Sequence, residues 1–281
     1  MIPYYLISLS GAYDSQPFWK AKDLCEGRSE NKLQGCLRQQ ENVQSSDCIC
    51  IDCTDVSSSL YFCSDEARNE LTKRLSDVPV NALHFIDSGD YHYLSLLFLQ
   101  RIDHPFSLLL FDHHSDCMES AFGGDLLTCG SWVLRALNDL PNLKRAILVG
   151  PADEDGTAGQ LLADSRITWV TEEEFDARKE ELYQALLEWP VYISLDKDVL
   201  DPQEAVTDWS QGHMRLSEIL DFLETAKASG AHFCGMDVCG EQKASEETSG
   251  AGTGAQTNSN TNETIVSYQK DLTFSLYRVK I

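Results

Sequence analysis

Two short segments carry most of the chemistry in this sequence. Phe111-Asp112-His113-His114-Ser115-Asp116 reads D-x-H-x-D directly after the apolar run Ser107–Phe111. Ser194-Leu195-Asp196-Lys197-Asp198 carries D-x-D directly after a second apolar run that begins at Val191. A third segment, Gly89-Asp90-Tyr91-His92, follows a run ending at Asp87. Alternate residues of an extended chain share a side, so Asp112, His114 and Asp116 can reach one crevice, as can Asp196 and Asp198. With His92 they form six candidate ligands. That is too many for one ion. Such a set suits two divalent cations bridged by carboxylate and water, an arrangement that makes hydroxide at neutral pH. The competing reading is an Asp-rich loop with capping carboxylates. Against it, carboxylates and imidazoles this dense repel or shift their pKa unless a cation neutralises them.

His113 and Lys197 occupy intervening positions and are expected to point away from the crevice. Asp201-Pro202 forces a turn, because proline lacks a donor and restricts the residue before it. Cys117 beside Asp116 is read as packing, since this chemistry needs no side-chain nucleophile. Oxygen-rich ligation with imidazole and no thiolate favours a hard or borderline ion.

The elements that must position these residues follow from periodicity. Eight apolar runs of strand length are expected at Ile2–Leu9, Asp47–Asp52, Ala82–Asp87, Ser107–Asp112, Arg145–Gly150, Ile167–Val170, Val191–Asp196 and His232–Val238. Their near-continuous apolar character suits strands buried on both faces of a parallel sheet. Helices are expected at Asp65–Leu75, capped by Ser64, and at Ser131–Asp139, Glu172–Glu188 and Leu216–Ser229. Strands alternating with helices give an α/β fold with right-handed crossovers, as an open sheet or a closed barrel. In both, a site forms at the carboxyl ends of the strands. Residues 25–46 and the segment 243–262, KASEETSGAGTGAQTNSNTN, read as poorly ordered and the second as a mobile loop. Glu263–Leu272 reads as a last helix and Thr273–Val279 as an edge strand. No linker or repeat divides the chain, so residues 1–281 read as one domain.

Composition excludes some functions. With 45 acids against 22 bases, the net charge of -23 repels nucleic acid. No stretch of about 20 apolar residues could span a membrane. The apolar start lacks a basic segment and reads as a strand, not a signal peptide, so a cytoplasmic protein is expected. Six of the 10 cysteines fall in the first 63 residues, with no second C-x-x-C pair or adjacent His, and read as reduced structural thiols.

Taken together, the three segments resemble the ureohydrolase superfamily (arginase, agmatinase, formiminoglutamase) from about Ala82 to Glu241. The D-x-H-x-D and S-x-D-x-D-x-x-D-P pair is specific; Gly-Asp-Tyr-His is looser, because Tyr91 separates Asp90 from His92. The resemblance implies a three-layer, open, mostly parallel eight-stranded sheet with helices on both faces. It implies two divalent cations, Mn2+ first, with Asp112 and Asp196 bridging. His114 would be a ligand of one ion and Asp116 of the other, Asp198 would complete the second ion's shell, His92 would be the sixth ligand, and Asp116 would also bond the bridging hydroxide. The implied reaction is attack on the sp2 carbon of a guanidinium or amidine, with proton transfer to the leaving nitrogen.

The substrate loops depart from the family. Arginases carry a proton-shuttle histidine in an N-x-H-G loop, whereas the corresponding Leu127–Trp132 stretch has none. His213 is the expected replacement acid. Asp237 or Glu241, near the last strand, is the expected receptor for a small cationic guanidino or amidino substrate, among rim acids that include Asp90, Asp125, Asp153, Glu154, Asp155 and Asp208. Trp209 is expected to wall the pocket and Trp132 to be core. A catalytically silent metal-binding homologue and a single-zinc, deacetylase-like amidohydrolase are the alternatives, and a homo-oligomer is compatible with either.

Overall fold

A computed structural model describes residues 3–19, 48–119, 126–153, 158–243, 253–269, 272 and 274. Eight strands form one wholly parallel sheet: β1 (Tyr4–Ser8), β2 (Cys48–Asp52), β4 (Leu83–Phe85), β5 (Phe106–Phe111), β7 (Leu143–Val149), β8 (Ile167–Val170), β9 (Val191–Asp196) and β10 (Phe233–Cys239). A separate antiparallel pair joins β3 (Phe62–Cys63) to β6 (Leu127–Thr128). The strand order is β2-β1-β4-β10-β9-β5-β7-β8. β2 and β8 are edges, so the sheet is open and the barrel alternative is set aside.

The alternation of one strand shows the layering. Along β5, Leu108 and Leu110 pack into one apolar cluster, while Leu109 and Phe111 pack into another on the opposite face. The first cluster is completed by Ala67 and Leu71 from the helix Asp65–Arg74, by the helix Leu94–Leu99, and by Trp132, Val133 and Leu137 from the helix Trp132–Asp139. The second is completed by Phe175 and Leu182 from the helix Glu172–Ala185 and by Ile219, Phe222 and Leu223 from the helix Leu216–Ala228. Helices therefore cover both faces, and the strands are apolar throughout for that reason. Helix starts match local chemistry. Ser64 Oγ accepts from Ala67 N at 3.1 Å, and Thr171 forms a capping box with Glu174.

One expectation fails. The segment read as a mobile loop at 243–262 contributes to a helix, Thr253–Gln269; residues 244–252 lie outside the described residues. Propensity alone argued against a helix of Asn, Ser, Thr and Gly. Tertiary hydrogen bonds override it. The Asn258 amide pairs with Val206 at both ends, accepting from its N–H and donating to its carbonyl, each at 2.8 Å. Ser259 Oγ accepts from Phe18 N at 3.2 Å, and Ile265 enters the core. The helix is tied down by buried polar contacts, which a hydrophobic-pattern reading does not detect. Residues 25–46 lie outside the described residues, as does Thr273–Val279 apart from Phe274. No helix among the described residues is long and apolar enough to cross a membrane. The eight described cysteines are free thiols.

Candidate metal centre

All six candidate ligands meet at the carboxyl edge of the sheet. Asp112 and Asp196 stand at the ends of the neighbouring strands β5 and β9, and His92 follows β4 through a short 3-10 turn at Gly89–Tyr91. His92 Nδ1 faces Asp116 Oδ2 at 3.0 Å, Asp112 Oδ2 at 3.3 Å and Asp196 Oδ2 at 3.4 Å. His114 Nδ1 faces Asp198 Oδ2 at 2.8 Å and Asp112 Oδ1 at 3.6 Å. The three candidate groups fall into an inner set around His92, one with Asp112 and Asp116 and one with Asp196 and Cys239, and an outer group of Asp112, His114 and Asp198, with one Asp112 oxygen turned to each side. Asp196 belongs to the inner group; its Oδ1 accepts from Asp198 N at 3.0 Å.

The groups fit cations better than they fit each other. Asp112 Oδ2 is buried with no hydrogen-bond partner, which is costly for a carboxylate oxygen without a positive neighbour. Burial and the charge of Asp112 raise the Asp116 carboxyl to about 6. Burial, Asp196 and Asp112 hold Asp198 well above the usual carboxylate range. Burial opposes charge on His114, yet Asp112 and Asp198 outweigh it and push the imidazole up to about 12. Without metal, protons do the neutralising. Metal must displace them, so affinity should climb with pH, and occupancy should fall below about pH 6 as Asp116 takes up its proton. Loading followed by pH-stat should show protons released; a metal affinity unchanged between about pH 5 and 8 would contradict this competition.

The supporting shell explains how the ligands are aimed. His92 Nε2 bonds Ser194 Oγ at 2.9 Å, and Ser194 donates onward to Asp237 Oδ1 at 2.6 Å. That relay leaves Nδ1 free for a metal. Trp132 Nε1 donates to Asp116 Oδ2 at 2.5 Å, so this buried core tryptophan also holds a ligand. Asp116 itself has φ 50, a left-handed conformation that turns its carboxylate back toward His92. Backbone His114 N donates to Asp112 Oδ1 at 2.6 Å and His113 N to Asp198 Oδ1 at 3.0 Å, locking the two motifs together.

These ligands floor a cavity of about 470 Å3. Its walls include Tyr61, Phe62, Met118, Leu126, Cys129 and Trp209. Tyr61, Phe62, Met118 and Trp209 are between 39% and 56% exposed, which makes the mouth apolar. Trp209 is fixed by donating Nε1 to Asp90 Oδ1 at 2.9 Å.

Three residues expected to act on substrate are not in the cavity wall. Asp237 lies behind His92 as the end of the Ser194 relay. Glu241 is buried against Lys197, with further bonds from Gln16 at 2.6 Å and Asn262 at 2.7 Å. A carboxylate already paired with a buried ammonium has no call to receive a second cation. His213 is exposed and does not line the cavity, its backbone N–H donating to Glu172 at 3.1 Å. Lys197 does point away from the ligands, as its alternate position implied. His113 does not: it lines the cavity, with Nδ1 3.7 Å from Glu172 Oε1. Among the rim acids, Asp90 is paired with Lys243, and Asp125, Glu154 and Asp155 lie outside the described residues. Strand alternation could not show these placements, because they depend on which face of each loop the helices cover.

Comparison with known proteins agrees with this geometry. The profile of the Arginase family matches residues 26–254. An uncharacterized protein of Thermotoga maritima is 33% identical over 157 residues, covering 56% of this chain and 57% of that protein. The match therefore spans little more than half of the relative's length. Proclavaminate amidino hydrolase from Streptomyces clavuligerus superposes with a TM-score of 0.59 at 17% identity, covering 95% and 92% of the two chains. Formimidoylglutamase from Bacillus subtilis gives 0.62 at 12% identity over 95% and 86%. Arginase from Bacillus caldovelox gives 0.56 at 14% identity over 99% and 100%. At these identities the structures share the fold.

Proposed function

Because the chain belongs to the Arginase family, we propose that it is a metal-dependent hydrolase of linear C–N bonds in amidino or guanidino compounds, working with two divalent ions. The observation that carries this reading is Asp112, which turns one oxygen to each ligand group and leaves Oδ2 buried without a partner. His92, Asp112, Asp116 and Asp196 would hold the inner ion; Asp112, His114 and Asp198 would hold the outer one. When bound, the ions would supply Lewis acidity and an activated water at neutral pH. The outer group of carboxylates and one imidazole suits Mn2+.

The protein's own residues do the rest. The Ser194–Asp237 relay keeps His92 in the tautomer that leaves Nδ1 free. The Asp116 carboxylate lines the cavity and is placed to take a proton and return it to the leaving nitrogen. Trp209, Tyr61, Phe62 and Met118 exclude water from the body of the substrate.

The substrate class follows from the wall. The cavity's carboxylates are the proposed metal ligands themselves, and among the described residues no lysine or arginine lines it; Lys243, 5.1 Å over the Tyr61 ring, is paired with Asp90. An amino-acid tail would find no charged partner among the described residues there. A linear amidine or guanidine carried on an apolar or aromatic body fits instead. The test is ammonia and urea release from a panel of alkyl, aryl and amino-acid guanidines and amidines, with Mn2+-loaded protein. Aryl and alkyl compounds should turn over at least about tenfold better than amino-acid ones, since one apolar group more in a pocket is worth roughly 1–3 kcal/mol. No release from any compound would favour the catalytically silent reading. Preference for amino-acid guanidines would overturn the apolar assignment.

A further inference from the structure

Cys239 ends β10, fully buried, and its Sγ lies 3.0 Å from Asp196 Oδ2. The same Oδ2 is 3.4 Å from His92 Nδ1. Thiol, carboxylate and imidazole thus converge, their donor atoms all within 4.8 Å of one another. We propose that Cys239 is a ligand of the inner ion, making that position a mixed nitrogen, oxygen and sulfur site selective for a thiophilic divalent cation such as Zn2+, Co2+ or Fe2+. This rests on the two-ion reading of the cleft and departs from the all-oxygen-and-imidazole set expected from the sequence.

Three features carry the assignment. First, the register pairs Cys239 with Asp196 across β10 and β9, so the thiol sits beside a proposed ligand by sheet geometry, not by a flexible loop. Second, the next residue is Gly240 with φ +88, and a Cβ there would stand 2.4 Å from Asp196 Oδ1 and 2.8 Å from Lys197 N. Only glycine lets the chain pass that close, and the close passage brings residue 239 against the ligands. Third, Asp112 Oδ2, buried without a hydrogen-bond partner, is 3.3 Å from the same His92 Nδ1, a second buried donor facing the imidazole that the thiol group shares. Cys239 is absent from the cavity wall, so it would back the ion on the side away from substrate. On binding, the S–H bond gives its proton to solvent as the sulfur–metal bond forms.

The chemical consequence is a centre with two unlike positions. Carboxylate and imidazole discriminate weakly among first-row ions, whereas a thiolate favours the softer ones. Zinc suits the His92, Asp196 and Cys239 donors in particular, because it accepts nitrogen, oxygen and sulfur ligands together. The outer group keeps its preference for a hard ion. The bland alternative is that Cys239 packs as a small apolar residue.

The test uses full-length metal-free protein, reduced and kept anaerobic, titrated with Co2+. A thiolate-to-cobalt charge-transfer band in the near ultraviolet should grow to one equivalent per chain and vanish in C239S and C239V. The same variants should lose the inner preference for Zn2+ over Mn2+ by at least the roughly 10–100-fold typical of losing an outer-shell partner. Cobalt bound with visible d–d bands but no charge-transfer band would overturn the thiolate while leaving the two-ion reading intact. A band unchanged in C239S would overturn it too, and failure to bind cobalt at all would overturn both. Should the variants not fold, X-ray absorption on the zinc-loaded wild type decides. A sulfur scatterer at about 2.3 Å is expected, and a shell of nitrogen and oxygen alone overturns the proposal.

Discussion

Replacing Asp112 with alanine should empty both ion positions at once. Asp112 is the carboxylate that faces His92 through one oxygen and His114 through the other. It also accepts the backbone N–H of His114 at 2.6 Å, which sets the turn that carries the outer ligand. Its removal therefore costs a donor at each ion and loosens a third. Elemental analysis should fall from two ions per chain to near zero. Any turnover should fall by more than the roughly 10–100-fold typical of losing an outer-shell partner. Asp112→Asn keeps an acceptor for His114 N but loses the charge, and should behave almost as badly. Asp196→Ala and His92→Ala should mainly empty the inner position, because Asp196 is grouped with His92 and Cys239 and not with His114. His113→Ala removes no donor of either group and should keep both ions. Two ions retained in Asp112→Ala would mean that the groups do not share a carboxylate.

Glu241→Ala should destabilise the protein severely while leaving the ligand set chemically intact. Lys197 is fully buried, and its ammonium rests on Glu241 and on Asn262 Oδ1 at 3.2 Å. Removing the carboxylate strands a buried charge, which typically costs about 3–5 kcal/mol. For a chain of this size that corresponds to a fall in Tm on the order of 10 °C. The double variant Lys197→Met with Glu241→Gln should recover much of the loss, since a buried pair replaced as a whole is often close to neutral. A substrate-binding role makes the opposite forecast: raised KM, unchanged Tm, and no rescue by the second substitution. Calorimetry on the single and double variants separates the two. The pair also ties the strand-end loop after β9 to the helix Thr253–Gln269, because Asn262 donates to Glu241 at 2.7 Å. That link explains why a segment rich in Ser, Thr, Gly and Asn is ordered at all.

The order of the eight strands' positions along the chain, the parallel sheet and the clustering of the six candidate ligands were legible in the sequence because local pattern specifies them. Phe106–Phe111 is apolar on both faces, so it could only be an inner strand, and Asp112, His114 and Asp116 follow directly at its end, where the chain turns through Asp116 at φ 50. What the pattern could not show was long-range. Cys239 faces Asp196 through a β10–β9 register fixed by the whole sheet. Asp237 ends up behind His92 because Ser194 stands between them, and Glu241 is absorbed by Lys197 from the opposite loop. Two of the three misplaced substrate residues share one cause. Asp237 and Glu241 are carboxylates near a strand end whose partners, Ser194 and Lys197, lie dozens of residues away, so they are already engaged in the fold, while His213 is simply exposed outside the cavity wall. The two-residue strands β3 and β6 were also invisible to periodicity, yet they carry Phe62 and Thr128 to the cavity wall.

The measurement that bears most directly on the two-ion site is the metal content of the wild-type chain. The protein would be stripped, reloaded with divalent cation at neutral pH, dialysed and analysed for metal and protein together. Two ions per chain are expected, one held by the His92 group and one by the His114 group, joined through Asp112. A single ion per chain would contradict the shared-carboxylate centre and return the one-zinc amidohydrolase reading; none would remove the metal site altogether.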